Sequence, residues 1–79
     1  MTEIETKVYS IISEQLGIPT SNITNNSRFV DDLGGDSLDT VEMMLTLEDE
    51  FGIEIPEEAA EDFVTVQAVI SYLSKLELA

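Results

Sequence analysis

Seventeen carboxylates set against three basic side chains constrain this 79-residue chain more than any other feature, because every compact state crowds like charges together. The formal net charge of −14 opposes folding, so apolar burial has to outweigh it, and added salt or divalent cations are expected to tighten the fold. Apolar residues make up 43% of the chain and recur at helical spacings, unlike the depleted patterns of acidic disordered segments. No cysteine is present, so no disulfide can help and the fold must stand on helix packing. The length suits one small domain over residues 1–79.

The same charge limits the partners. A strongly negative surface disfavours phosphate backbones and anionic lipid surfaces, which speaks against nucleic acid and against membrane insertion. No apolar run exceeds three residues, and the first thirty lack the basic and apolar regions of a signal peptide, so a cytoplasmic protein is expected. Self-repulsion favours a monomer. Without histidine or cysteine the chain has neither an imidazole base nor a thiolate nucleophile, and it is not expected to be an enzyme by itself. From Phe29 through Ser74 no Lys or Arg occurs, and those 46 residues hold 13 of the 17 acidic side chains. Basic patches on other proteins complement such a stretch.

Periodicity predicts an all-α chain. Ile4, Val8, Ile11, Ile12 and Leu16 mark a first helix over about residues 3–16, with Thr2 as N-cap and Gly17 as its left-handed stop. A long ordered loop comes next, rich in Thr, Ser and Asn, which packs Ile18, Ile23, Phe29 and Leu33 onto the helices. Gly34-Gly35 ends it, and Asp36 or Ser37 caps a second helix running to about Glu50. Ile53 to Ile55 form an extended link, Pro56 opens a short helix through about Asp62, and Thr65 caps a last helix bearing Val66, Val69, Ile70, Leu73 and Leu76. The expected architecture is a small antiparallel four-helix bundle of three main helices and one short one.

The second helix carries two apolar stripes. At about 100° per residue, Met43, Met44, Leu47 and Phe51 share one side, while Leu38, Val41 and Leu45 lie about 145° away. A small bundle buries one face of a helix, so the second stripe, flanked by Glu42, Glu48 and Asp49, is either wrapped by the bundle or left exposed as a contact surface.

Chemical motifs are scarce. The carboxylates lie in open acidic runs, without the desolvated setting that acid/base work needs. An EF-hand register from Asp31 places Leu33, Gly35 and Asp36 where oxygen ligands and then glycine belong, and one from Asp32 ends on Met43, so no metal site is expected. Ser37 stands at a helix N-terminus after two glycines. On spacing alone it reads as a helix cap, yet it also offers an accessible oxygen beside N–H groups able to support a phosphate.

The run Asp31-Asp32-Leu33-Gly34-Gly35-Asp36-Ser37-Leu38-Asp39 resembles the modification motif of acyl carrier proteins, above all the freestanding bacterial type. The likeness extends over nearly the whole chain. It takes in Thr24-Asn25-Asn26, Phe29-Val30, the acidic helix from Leu38 to Phe51, Ile55-Pro56 and Thr65-Val66-Gln67. By this resemblance, a phosphopantetheinyl transferase moves 4'-phosphopantetheine from coenzyme A onto the Ser37 hydroxyl. The arm's thiol then carries acyl groups as thioesters between enzymes of fatty acid biosynthesis.

The resemblance also implies that Leu38, Val41 and Leu45 contact partner enzymes, while Asp36, Asp39, Glu42, Glu48 and Asp49 meet their basic patches. Phe29, Met43, Leu47, Ala60, Phe63 and Val69 are the matching candidates for lining an acyl pocket. Two positions depart from the pattern: Gly35 stands where fatty-acid carriers commonly have Ala, and Phe63 where Ile is frequent. A Gly-Gly before the serine is familiar in peptidyl carriers, so polyketide, aminoacyl or specialised lipid cargo stays open. An unmodified acidic adaptor is the alternative of a different kind.

Overall fold

The computed structural model describes residues 2–78 of the chain. Four α-helices are found, α1 (Glu3–Leu16), α2 (Ser37–Phe51), α3 (Glu57–Ala60) and α4 (Val66–Leu78), with a 3-10 turn at Thr20–Asn22 inside the long loop. The expected helical bundle is what forms, and no named strand occurs among the described residues.

The start of α1 is fixed locally. The Thr2 hydroxyl accepts the Glu5 N–H at 3.2 Å and the Glu5 carboxylate accepts the Thr2 N–H at 2.9 Å, a reciprocal cap that satisfies two otherwise orphaned donors. Gly17 stops the helix at φ 66° and Gly52 stops α2 at φ 64°, backbone that side chains disfavour. Pairings between Gln15 and Glu42 at one end and between Lys7 and the Phe51 ring at the other set α2 antiparallel to α1.

The core gathers Ile4, Val8, Tyr9 and Ile12 of α1, Met43 and Leu47 of α2, Val66, Val69, Ile70 and Leu73 of α4, with Ile23, Phe29 and Phe63 added by the connections. Ile18 and Leu33 pack against its edge, so the long loop is anchored as its composition predicts. Its tether to α4 was not legible in the sequence. Residues 25–29 run antiparallel beside residues 64–67, with Phe29 N–H donating to the Val64 carbonyl, Val66 N–H to that of Ser27 and Gln67 N–H to that of Asn25. The Tyr9 hydroxyl donates to Asn25, whose amide nitrogen reaches Glu5 and Gln67.

Several boundaries differ from expectation. The short helix ends at Ala60 rather than near Asp62, and Pro56 stands at its N-terminal edge, as expected, as an extended N-cap. Tight turns over Asp62 to Val64 place Phe63 in the core, where it is 5% exposed. Leu76 is 41% exposed and lines an opening of about 290 Å³ with Lys7, Phe51 and Leu73. No described helix is long and apolar enough to cross a membrane.

Candidate functional site

Ser37 occupies the first turn of α2 and is exposed. Gly34, at φ 74°, turns the chain toward the helix, and the Gly35 N–H donates to the Phe29 carbonyl at 2.8 Å. Gly35 is buried so closely that a Cβ there would come within 3.1 Å of the Phe29 carbonyl and 3.2 Å of a Leu16 methyl. This contact gives a local reason for glycine where the resemblance leads one to expect alanine.

The cap of α2 is Asp36. Its carboxylate accepts the Asp39 N–H at 2.9 Å, and the Asp39 carboxylate accepts the Asp36 N–H at 3.2 Å. The simplest structural role of Ser37, that of helix cap, is therefore taken by its neighbour. The Ser37 hydroxyl is left outside the capping box, beside the Ser37 and Leu38 N–H groups that no intrahelical carbonyl can accept. An exposed hydroxyl at the positive end of a 15-residue helix suits attachment of a phosphate-linked group.

An open trough of about 600 Å³ runs from Ser37 along walls of Phe29, Val30, Val41, Phe63 and Val64, with Arg28, Asp31 and Asp36 at its edges. Arg28 pairs with Asp31 at 3.4 Å, both well exposed. The six acyl-pocket candidates are not brought to one opening. Phe29 and Phe63 line the trough, Met43 meets Phe29 at a pit of about 10 Å³, and Ala60 is half-buried on α3. Leu47 and Val69 are fully enclosed in the core and line neither opening.

The two stripes of α2 separate cleanly. Met43 and Leu47 are 2% and 0% exposed, whereas Leu38, Val41 and Leu45 are 64%, 51% and 60% exposed. The bundle does not wrap the second stripe, since α3 is a single short turn that buries none of its own residues. Around the stripe, Asp36 and Asp39 are engaged in the cap, Glu42 accepts the Gln15 amide at 2.7 Å, and Glu48 accepts the Ile55 N–H at 2.8 Å. Asp49 is exposed. The remaining lone pairs face outward, and α2 carries no basic residue of its own.

Sequence reasoning missed Val30 and Val64, 60% and 57% exposed on the trough wall. They lie in connections without periodicity, so no pattern marks which way they face. No cluster of three or more acidic side chains among the described residues is placed to hold a metal ion.

Residues 6–73 of the 79 match the family model described as the phosphopantetheine attachment site.

Proposed function

Because the chain belongs to the phosphopantetheine attachment family, we propose that Ser37 bears the prosthetic group and that residues 1–79 act as one acyl carrier domain for fatty acid biosynthesis. Domains of this family carry a covalently attached 4'-phosphopantetheine and serve as carriers rather than catalysts. The observation that carries the assignment is the Ser37 hydroxyl, exposed at the N-terminus of α2 with its capping duty taken by Asp36.

When bound, the group supplies a terminal thiol on a flexible arm, on which acyl chains ride as thioesters, chemistry that a cysteine-free chain lacks. The chain's own residues present and address it. Asp36 and Asp39 cap the first turn of α2, so that the Ser37 hydroxyl is presented at the surface of a formed helix start. No histidine stands by to take the hydroxyl proton, and that base comes from the transferase. The trough walls of Phe29, Val41, Phe63 and Val64 give an apolar surface on which the arm and the start of a chain can lie.

Leu38, Val41 and Leu45 form the docking stripe, and Asp36, Asp39, Glu42, Glu48 and Asp49 steer basic patches onto it. Fully burying one such aliphatic side chain gains roughly 1.5–3 kcal/mol. Three of them give a total comparable to the ~4–15 kcal/mol cost of association, so contacts are weak and quickly released. This suits one carrier visiting a transferase, synthases, reductases and dehydratases in turn. The acidity and the Asp36-Ser37 pair support fatty-acid cargo over polyketide or aminoacyl cargo. Coenzyme A as the donor of the arm supports a cytoplasmic setting, and the net charge of −14 supports a monomer.

Intact mass before and after incubation with coenzyme A and a broad-specificity phosphopantetheinyl transferase tests the assignment. The expected result is a gain of one phosphopantetheine on the wild type and none on Ser37→Ala. No gain on folded wild type, or an equal gain on Ser37→Ala, overturns it.

A further inference from the structure

Around the Ser37 trough one side chain carries the opposite sign to its surroundings. The chain has three basic side chains, Lys7, Arg28 and Lys75. Lys7 lies over the Phe51 ring, 5.6 Å from its centre, and Lys75 is in the last turn of α4. Arg28 alone of the three lines the trough, together with Asp31, Asp36 and Ser37.

The backbone of Arg28 is fixed while its head is loosely held. Its N–H donates to the Asp32 carboxylate at 2.8 Å, its carbonyl accepts the Asp32 and Leu33 N–H groups at 3.0 Å each, and it bridges to Thr65 across the tether to α4. The guanidinium makes one ion pair, to Asp31 at 3.4 Å, with both side chains well exposed. A surface pair of that kind contributes little and gives way to a better partner. The bond from the Gly35 N–H to the Phe29 carbonyl folds the loop back on itself. Arg28 stands one residue before that closed contact and Ser37 two residues after it.

We propose that Arg28 is the positioning residue for the prosthetic arm, its guanidinium leaving Asp31 to pair with the phosphodiester formed on Ser37. The inference rests on Ser37 as the attachment site. A phosphodiester spreads one negative charge over two non-bridging oxygens, which the guanidinium fork matches in a bidentate pair. Among the charged side chains lining the trough, Asp31 and Asp36 repel that charge and Arg28 alone attracts it. Attachment to Ser37 keeps the anion at a high effective concentration, so a chain of net charge −14 that repels free anions still holds this one. Arg28 belongs to the loop wall with Phe29 and Val30. Pairing there turns the arm toward that wall and leaves Leu38, Val41 and Leu45 uncovered for a partner.

Nuclear magnetic resonance of the full chain, apo and loaded, tests this by reading the Arg28 Nε–H, the phosphorus signal and contacts from the methyl groups of the arm. Loading the wild type should shift the Nε–H signal, slow its exchange with solvent several-fold and bring arm methyls into contact with those of Val30. Arg28→Gln removes only an exposed pair, so it should fold and take up the arm. Its phosphorus signal should nevertheless differ from that of the wild type, and the Val30 contacts should be lost. Raised salt should shrink the phosphorus difference between the two proteins.

A fully loaded wild type with an unmoved Nε–H, or an identical phosphorus signal in Arg28→Gln, would overturn the role of Arg28 and leave the assignment of Ser37 intact. Failure of Ser37 to take up the arm would overturn both. An equal Nε–H shift in apo protein given millimolar inorganic phosphate would also overturn the proposal, by showing a general anion site rather than one made by the attached arm.

Discussion

The two connections flanking α2 are held in opposite ways, and length does not foretell which is firmer. Residues 17–36, the longer, bury Ile23 and Phe29, tie Asn25 to Tyr9, Glu5 and Gln67, and pair their backbone with the start of α4. Residues 52–65 bury only Phe63, leave Ile53 and Ile55 half-buried, and add the Glu48 carboxylate on the Ile55 N–H to the Phe29–Val64 backbone bond they share with the longer segment. Local stability tracks buried apolar contacts and satisfied donors rather than regular secondary structure. The irregular segment before Ser37 is therefore the fixed platform, and the segment containing α3 is the yielding one.

The largest break in this contrast comes from the platform's apolar anchor. Phe29→Ala should cost about 3–5 kcal/mol, enough to unfold a marginal 79-residue chain, whereas Ile55→Ala should cost clearly less because that side chain is only half-buried. Urea unfolding followed by circular dichroism reads both. Equal losses would erase the distinction between the two connections.

Next in size is Asn25→Ala, which removes the side chain shared by Tyr9, Glu5 and Gln67. A loss of about 1–3 kcal/mol is expected, because the buried Tyr9 hydroxyl is left without its acceptor. Exchange of the backbone amides of Phe29 and Val66 should accelerate in the same variant if Asn25 organises the platform.

Capping gives a smaller and sharper contrast. Asp36→Ala should cost about 1 kcal/mol. Ser37→Ala should stay within about 0.5 kcal/mol, because an exposed residue that does not cap has little folding role. On sequence alone Ser37→Ala is expected to cost a cap; the Asp36–Asp39 box moves that cost one residue back. Thermal melts of the two variants side by side decide between these expectations.

The smallest effect is a pH dependence within the platform. Hydrogen bonds from the Thr2 backbone, then from the Asn25 amide and the Thr2 hydroxyl, hold the Glu5 carboxyl below its ordinary value of 4.5. A depressed folded-state pKa means stability present above 4.5 and lost as the pH falls through the lower, folded value. Acid relieves charge repulsion throughout the chain, so the readout is the difference between wild type and Glu5→Gln. That difference should shrink on acidification. Tyr9 has the opposite sign: burial, then the Glu5 charge, raises its phenol, and its contribution fades as the pH rises above 10.0.

How much of this was legible in the sequence depended on whether the signal was local. Thr2, Gly17 and Thr65 fix helix ends through their own side chains or backbone, and all three act as expected. The two stripes of α2 are a consequence of helix geometry. Whether the second stripe was covered was not, because that depends on how far α3 extends and where it packs. Val30, Val64 and the tether of residues 25–29 to α4 were equally hidden, since they pair segments some 40 residues apart with no periodic pattern between them.

The sequence by itself determined the helices, the charge and the placing of a serine at the head of an acidic, two-faced helix. These rest on neighbouring residues: caps, glycine stops and apolar spacing act within a few positions of the chain. Tertiary structure alone decided that the second stripe of α2 stays uncovered, that the long loop is tied to the start of α4, and that a trough opens beside Ser37. Each of those depends on backbone directions or contacts between distant segments, which close packing settles only when the whole chain is assembled.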